Sequence, residues 1–124
     1  MIVALPIEPA GTVGHSWGKA RRVAVAVVNG REIESWTVHD VRWDLSHGEG
    51  SHGAHHARVV TFLRSHDVEA VGVDHVGESM ARVLARMGIR LVTGTAGDAR
   101  AAAVAVAGQT DASRPADGEA RPRP

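Results

Sequence analysis

The sharpest chemical signal in the sequence is His47-Gly-Glu-Gly-Ser-His52-Gly-Ala-His55-His56, which places four of the chain's eight histidines within ten positions. Neutral imidazole is the commonest metal nitrogen donor. His52 stands three and four residues before His55 and His56, spacings that share one face of a helical turn, and the intervening glycines let His47 and Glu49 approach the same point. The chemistry open to His47, His52, His55 and His56 is coordination of a transition-metal ion or contact with a metal cluster. The competing reading is a solvated Gly/His loop, because the spacing matches no fixed zinc module. With no cysteine in the chain, disulfides, thiolate zinc sites, self-ligated iron-sulfur clusters and cysteine nucleophiles are excluded.

Two further groups carry candidate chemistry. Asp74-His75-Val76-Gly77 lies where a strand gives way to a helix N-terminus, and backbone donors there attract anions; the alternative is an Asp74 helix cap with His75 facing solvent. His15, Trp17 and Lys19 follow the opening strand. Lys19 and Arg21 supply positive charge to offset an anion, and Trp17 would wall off one side of it, against a core position for Trp17 (the favoured reading) and a solvated charge for Lys19. His39, ending an edge strand, and His66, near a helix C-terminus where the dipole favours a cation, read as structural. Two-metal nuclease chemistry needs several converging carboxylates, whereas the opening strand has none and Glu32 and Glu34 lie on an edge. No nucleophile elbow, phosphate loop or dinucleotide fingerprint appears, and Gly94 to Gly97 is too short to be one. The expectation is a protein that is not an enzyme.

The elements that must position these groups fit one domain, residues 1–108, followed by a Pro-rich, charged tail, 109–124, expected to be disordered. Basic and acidic residues balance at 14 each, so no net field draws the chain to nucleic acid or an anionic membrane. No apolar run approaches the roughly 20 residues that span a bilayer, and the start lacks the basic residues of a secretory signal, so a cytoplasmic location is expected. With three Trp and one Phe, the core must be built largely from Val and Ala. Strands are predicted over 2–6, closed by Pro6, and over 22–28, ending at the hairpin dipeptide Asn29-Gly30. The partner strand, 31–39, alternates Ile33, Ser35 and Thr37 against Glu32, Glu34, Trp36 and Val38, as suits an edge. Residues 40–53 read as a mobile loop and 54–66 as a helix. A strand at 68–73, a helix carrying Met80, Val83, Leu84 and Met87 up to Gly88, and a strand at 89–92 follow. Thr95 with Asp98 resembles a capping box opening an Ala-rich helix to about residue 107. The order βββαβαβα with right-handed crossovers gives a three-layer α/β domain. Ligands in such sheets collect at the carboxyl ends of the strands, here at Pro6 to Gly18, Asp40 to Gly53, Asp74 to Gly77 and Thr93 to Gly97.

The short opening strand with its proline end, Trp17-Gly18-Lys19-Ala20 before a Val-rich strand, Asn29-Gly30, the Gly/His-rich loop entering a helix, Gly77, Gly88-Ile89 and Gly94 together resemble the dinitrogenase iron-molybdenum cofactor biosynthesis family over residues 2–107. The family has a His-Phe-Gly-Arg-Ala type motif after its first strand, where this chain reads His15-Ser16-Trp17-Gly18-Lys19-Ala20; the aromatic residue and glycine coincide and the histidine sits one residue early. The family's Gly-Gly-x-Gly after the fourth strand is Asp74-His75-Val76-Gly77 here. The resemblance implies a ribonuclease H-like fold with a mixed five-stranded sheet flanked by helices. It also implies binding of an iron-molybdenum cofactor, a related iron-sulfur cluster or a precursor, in a carrier linked to nitrogen fixation.

The reading reached from the sequence is a small carrier or store of a metal cofactor, cluster or ion, with cofactor contacts from His15, Trp17, Lys19, Asp74, His75 and Gly77. A protein acceptor of the cofactor, and a monomer or weak dimer paired through an edge strand, are expected. The alternative is an interaction or regulatory module that kept the fold and lost the ligand. The bias toward Ala, Arg, Val and Gly points to a GC-rich bacterial genome.

Overall fold

The β-branched runs pair into one mixed five-stranded sheet in a computed structural model that describes residues 1–46 and 52–113. Its strands are β1 (Ile2–Ile7), β2 (Arg22–Asn29), β3 (Glu32–Asp40), β4 (Ala70–Gly72) and β5 (Arg90–Val92); its helices are α1 (Trp43–Ser46), α2 (His52–Ser65), α3 (Glu78–Arg86) and α4 (Ala99–Ser113). Side by side the strands run β3-β2-β1-β4-β5. β1, β4 and β5 are parallel, and β2 is antiparallel to both β1 and β3.

Alternation along each strand sends side chains to two cores. Ala4, Val23, Val71 and Val73 meet Val59 and Leu63 of α2 and Met80 and Leu84 of α3 on one face. Val3, Leu5, Ala26, Val28 and Ala70 meet Ala102, Ala103, Val106 and Ala107 of α4 on the other. Helices therefore cover both faces. The small side chains of α4 let it lie close on the sheet: a Cβ on Gly72 would sit 2.5 Å from Val106 Cγ2. Among the described residues no helix is long and apolar enough to cross a membrane.

Several details depart from the sequence expectations, each for a local reason. The hairpin loop is Gly30-Arg31, not Asn29-Gly30: Asn29 pairs with Glu32, and Gly30 alone of the two takes a positive φ, 63°. A glycine in the first loop position meets the φ requirement of one of the two favoured hairpin turns. Beyond it the register slips between Val27 and Val28, whose partners are Ser35 and Ile33, so Glu34 is an extra residue on β3. A bulge of this kind changes the phase of alternation. Ile33 and Trp36, expected on opposite faces, both pack against the α4 core.

The stretch expected as a loop from Asp40 contains the helical turn α1. Its Trp43 is buried, held by a bond from its N–H to the Ala20 carbonyl at 2.9 Å. α2 begins at His52 rather than Ala54. Thr95 does not cap the last helix: its hydroxyl donates to the Val92 carbonyl, while Asp98 Oδ2 accepts from the Ala101 N–H at 2.9 Å. α4 continues to Ser113, past the expected helix end near Ala107 and into the stretch expected as a tail; residues 114–124 lie outside the described residues.

Candidate functional site

The sheet order creates a gap at one place. From β1 the chain crosses to β2 on one side, and from β4 it crosses to β5 on the other, so the connections after β1 and β4 diverge. A crevice at the carboxyl ends of the strands opens at such a switch point. The segments flanking it are those that hold His15 to Lys19 and Asp74 to Gly77.

The two segments are joined across the gap. The backbone N–H of His75 donates to the His15 carbonyl at 3.1 Å, and Ser16 and His75 form an isolated parallel bridge. His15 Nδ1 lies 3.0 Å from Asp74 Oδ2. A carboxylate only accepts, so Nδ1 is the donor here, and in the neutral ring Nε2 keeps its lone pair. Both side chains are exposed, at 80% and 44%, so the pair adds little to stability and serves to orient the imidazole. The His15 and His75 rings lie nearly parallel, centroids 6.0 Å apart. Asp74 is therefore a partner of His15 and not the cap of α3. That helix starts at Glu78 behind its N-cap Gly77, with no side-chain cap.

A cleft of about 270 Å³ lies beside this junction. Ser16, Gly18 and Lys19 form one wall, His55 and His56 of α2 a second, and His75 with the first turn of α3 the third. The first N–H groups of a helix have no partner within it, so Gly77 to Met80 give this wall a positive character. Lys19 adds a full charge, and the Glu78 carboxylate on the same wall is engaged by Arg82 at 3.2 Å. His55 is buried at 2% exposure, and a Cβ on Gly18 would stand 3.7 Å from its Nε2. His55 therefore sits in ordinary contact range of the Gly18 backbone segment at the cleft floor. A second cleft, of about 370 Å³, shares Ser16 and Lys19 with the first and is lined by His15, Arg21, Arg22, Glu8 and Asp44.

The structure thus brings His15, Lys19, Asp74, His75, Gly77, His55 and His56 to one end of the sheet. Trp17 is set apart from them: it is fully buried in the core, with its ring edge-on to Trp43 at 5.2 Å and its Nε1 without a hydrogen-bond partner among the described residues. It is a core residue and no wall of the cleft. His47 and Glu49 lie outside the described residues, and His52 opens the backbone of α2. Among the described residues no group of three or more His, Asp or Glu side chains is placed to hold a metal ion. Sequence reasoning missed Ser16, Gly18, Glu78, Ser79 and Met80 as cleft residues; for the last three the available signal was Gly77, since the residues just after an N-cap face whatever the helix end faces. His39 and His66, read separately from the sequence, pack with their rings tilted and centroids 4.3 Å apart, both touching Phe62 of α2, and neither lines this cleft.

The family model described as dinitrogenase iron-molybdenum cofactor matches residues 1–109, which spans the whole sheet and most of α4. The chain belongs to the dinitrogenase iron-molybdenum cofactor family. Among solved structures, PH0822 is similar with a TM-score of 0.66 at 22% identity, covering 85% of this chain and 89% of that one. The mj0327 protein of Methanocaldococcus jannaschii, provisionally assigned as a dinitrogenase, gives a TM-score of 0.61 at 12% identity, covering 88% of this chain and 90% of its own. These likenesses bear on the fold. No curated protein matches the chain. The His15 and Asp74 segments, far apart in the matched range, touch each other through the His15–Asp74 bond.

Proposed function

We propose that this member of the dinitrogenase iron-molybdenum cofactor family is a small, non-catalytic carrier whose cargo is an iron-molybdenum cofactor or a related anionic iron-sulfur cluster. The observation that carries the reading is the shared lining of one cleft by Lys19, His56, His75 and the open first turn of α3. A bare ion asks the protein for several ligands at fixed geometry. A preassembled cluster brings its own sulfides and needs a ligand atom or two within a positive surround. Imidazoles standing singly around a cleft, one lysine and a row of backbone donors suit the second demand. The sheet order is in keeping with the ribonuclease H-like fold that the family resemblance implies, and the carrier is read as a cytoplasmic protein that delivers to an acceptor protein.

The test is anaerobic titration of the untagged chain with isolated iron-molybdenum cofactor, followed by its absorbance after gel filtration. The wild-type chain is expected to retain the cofactor, and a Lys19→Ala/His75→Ala variant to lose about tenfold or more in affinity. Equal retention by that variant would move the cargo elsewhere. Failure of the wild-type chain to retain any cofactor would favour the interaction module.

A further inference from the structure

α2 and α3 lie side by side on one face of the sheet and touch sparingly, which leaves a groove of about 330 Å³ between them. Its walls are the apolar side chains of Val60, Val83 and Met87, all half-buried, with the small Ala57 at the open side. Val83 and Met87 lean on the core beneath, whereas Val60 belongs to neither core and presents its methyl groups to the groove. Arg64 and Arg86 flank it, both exposed and neither ion-paired among the described residues, and no acidic side chain is in its lining. An apolar floor between two unmatched guanidinium groups calls for an occupant with an apolar stripe and carboxylates beside it.

We propose that this groove docks an acidic amphipathic helix of a partner protein. The lining residues of α2 recur at 56, 60 and 64, a face of about 12 Å or two turns of an incoming helix, and the end of α3 with its C-cap adds 83, 86 and 87 over about 6 Å. The chain's own residues 114–124 carry three arginines against two acids and lack the negative charge the groove calls for. His56 lines both this groove and the cleft at the strand ends, so a partner seated here lies against the cleft wall. That the docked partner gives or receives the cargo rests on the carrier reading; the docking itself does not.

The experiment uses the full chain and a synthetic helical peptide with Leu at i, i+4, i+7 and i+11 and Glu at the flanking positions, with binding followed by calorimetry and by amide shifts in two-dimensional NMR. The expected result is saturable binding with shifts centred on residues 57–64 and 83–87. Affinity should fall about tenfold or more for Arg64→Glu/Arg86→Glu and for the same peptide with Lys in place of Glu. The peptide control uses the wild-type chain, so it stands even if the double variant folds poorly. Lys19→Ala/His75→Ala should bind the peptide as wild type does, which separates failure of the docking from failure of the carrier reading. The proposal is overturned if the acidic peptide does not bind, if the Lys peptide binds equally well, if shifts fall on another surface, or if Arg64→Glu/Arg86→Glu instead abolishes a self-association of the free chain.

Discussion

The backbone N–H of His75 donates to the carbonyl of His15 at 3.1 Å, which makes one rim of the two loops that the sheet order sends in opposite directions. The side-chain bond between Asp74 and His15 lies on that rim and fixes which nitrogen of His15 carries the proton. Asp74→Ala is expected to leave the fold intact, because the pair is exposed. It should let the His15 tautomers mix, seen as a change in the imidazole nitrogen shifts. An unchanged tautomer in the variant would show that Asp74 does not orient this ring.

His39 and His66 give the protein an acid-sensitive joint between β3 and α2. Desolvation, and then repulsion from His66, lower the His39 pKa below its ordinary 6.5. The unfolded chain then binds more protons than the folded one just below 6.5, so this contribution is complete above 6.5 and is lost as pH falls through 6.5 toward the lower folded value. The melting temperature should therefore decline as pH falls below 6.5, and His66→Gln should shrink the decline by removing the repulsion from His66. An equal decline in wild type and variant would assign the sensitivity to other groups.

Gly72 is where α4 meets the sheet most closely. Gly72→Ala should destabilise by about 1–3 kcal/mol through overpacking against Val106. Val106→Ala alone leaves a cavity, yet in the Gly72→Ala background it makes room for the new methyl, so the two changes should be markedly non-additive in chemical denaturation. Strict additivity would mean that the helix shifts to absorb the methyl.

Periodicity made most of the fold legible, because Val-rich runs and the Met80-Val83-Leu84-Met87 stripe report burial directly. What stayed hidden depends on neighbours distant in sequence. The bulge at Glu34 is set by pairing with β2, and it alone brings Ile33 and Trp36 to one face. Trp43 reads as part of a polar loop until Trp17 and Phe62 are seen around it, at 5.2 and 5.5 Å. At the site, His15 and Asp74 were each legible as candidates, but their bond spans 59 residues and no local pattern announces it.

The start of α4 gives a direct check on a corrected assignment. Asp98→Ala should cost about 1 kcal/mol as the loss of an N-cap. Thr95→Ala removes only the bond to Val92 and should leave the helix start protected in hydrogen exchange. A larger loss of protection at Ala101 from the Thr95 change would restore the capping-box reading.

The carrier reading is tested most directly by metal analysis of the full, untagged chain expressed alongside a source of the cofactor and purified without oxygen, with iron and molybdenum measured by mass spectrometry. Near-stoichiometric cluster metal is expected in the wild-type chain, and its loss in Lys19→Ala/His75→Ala. A chain that carries no metal, or a double variant that keeps as much as the wild type, would contradict it.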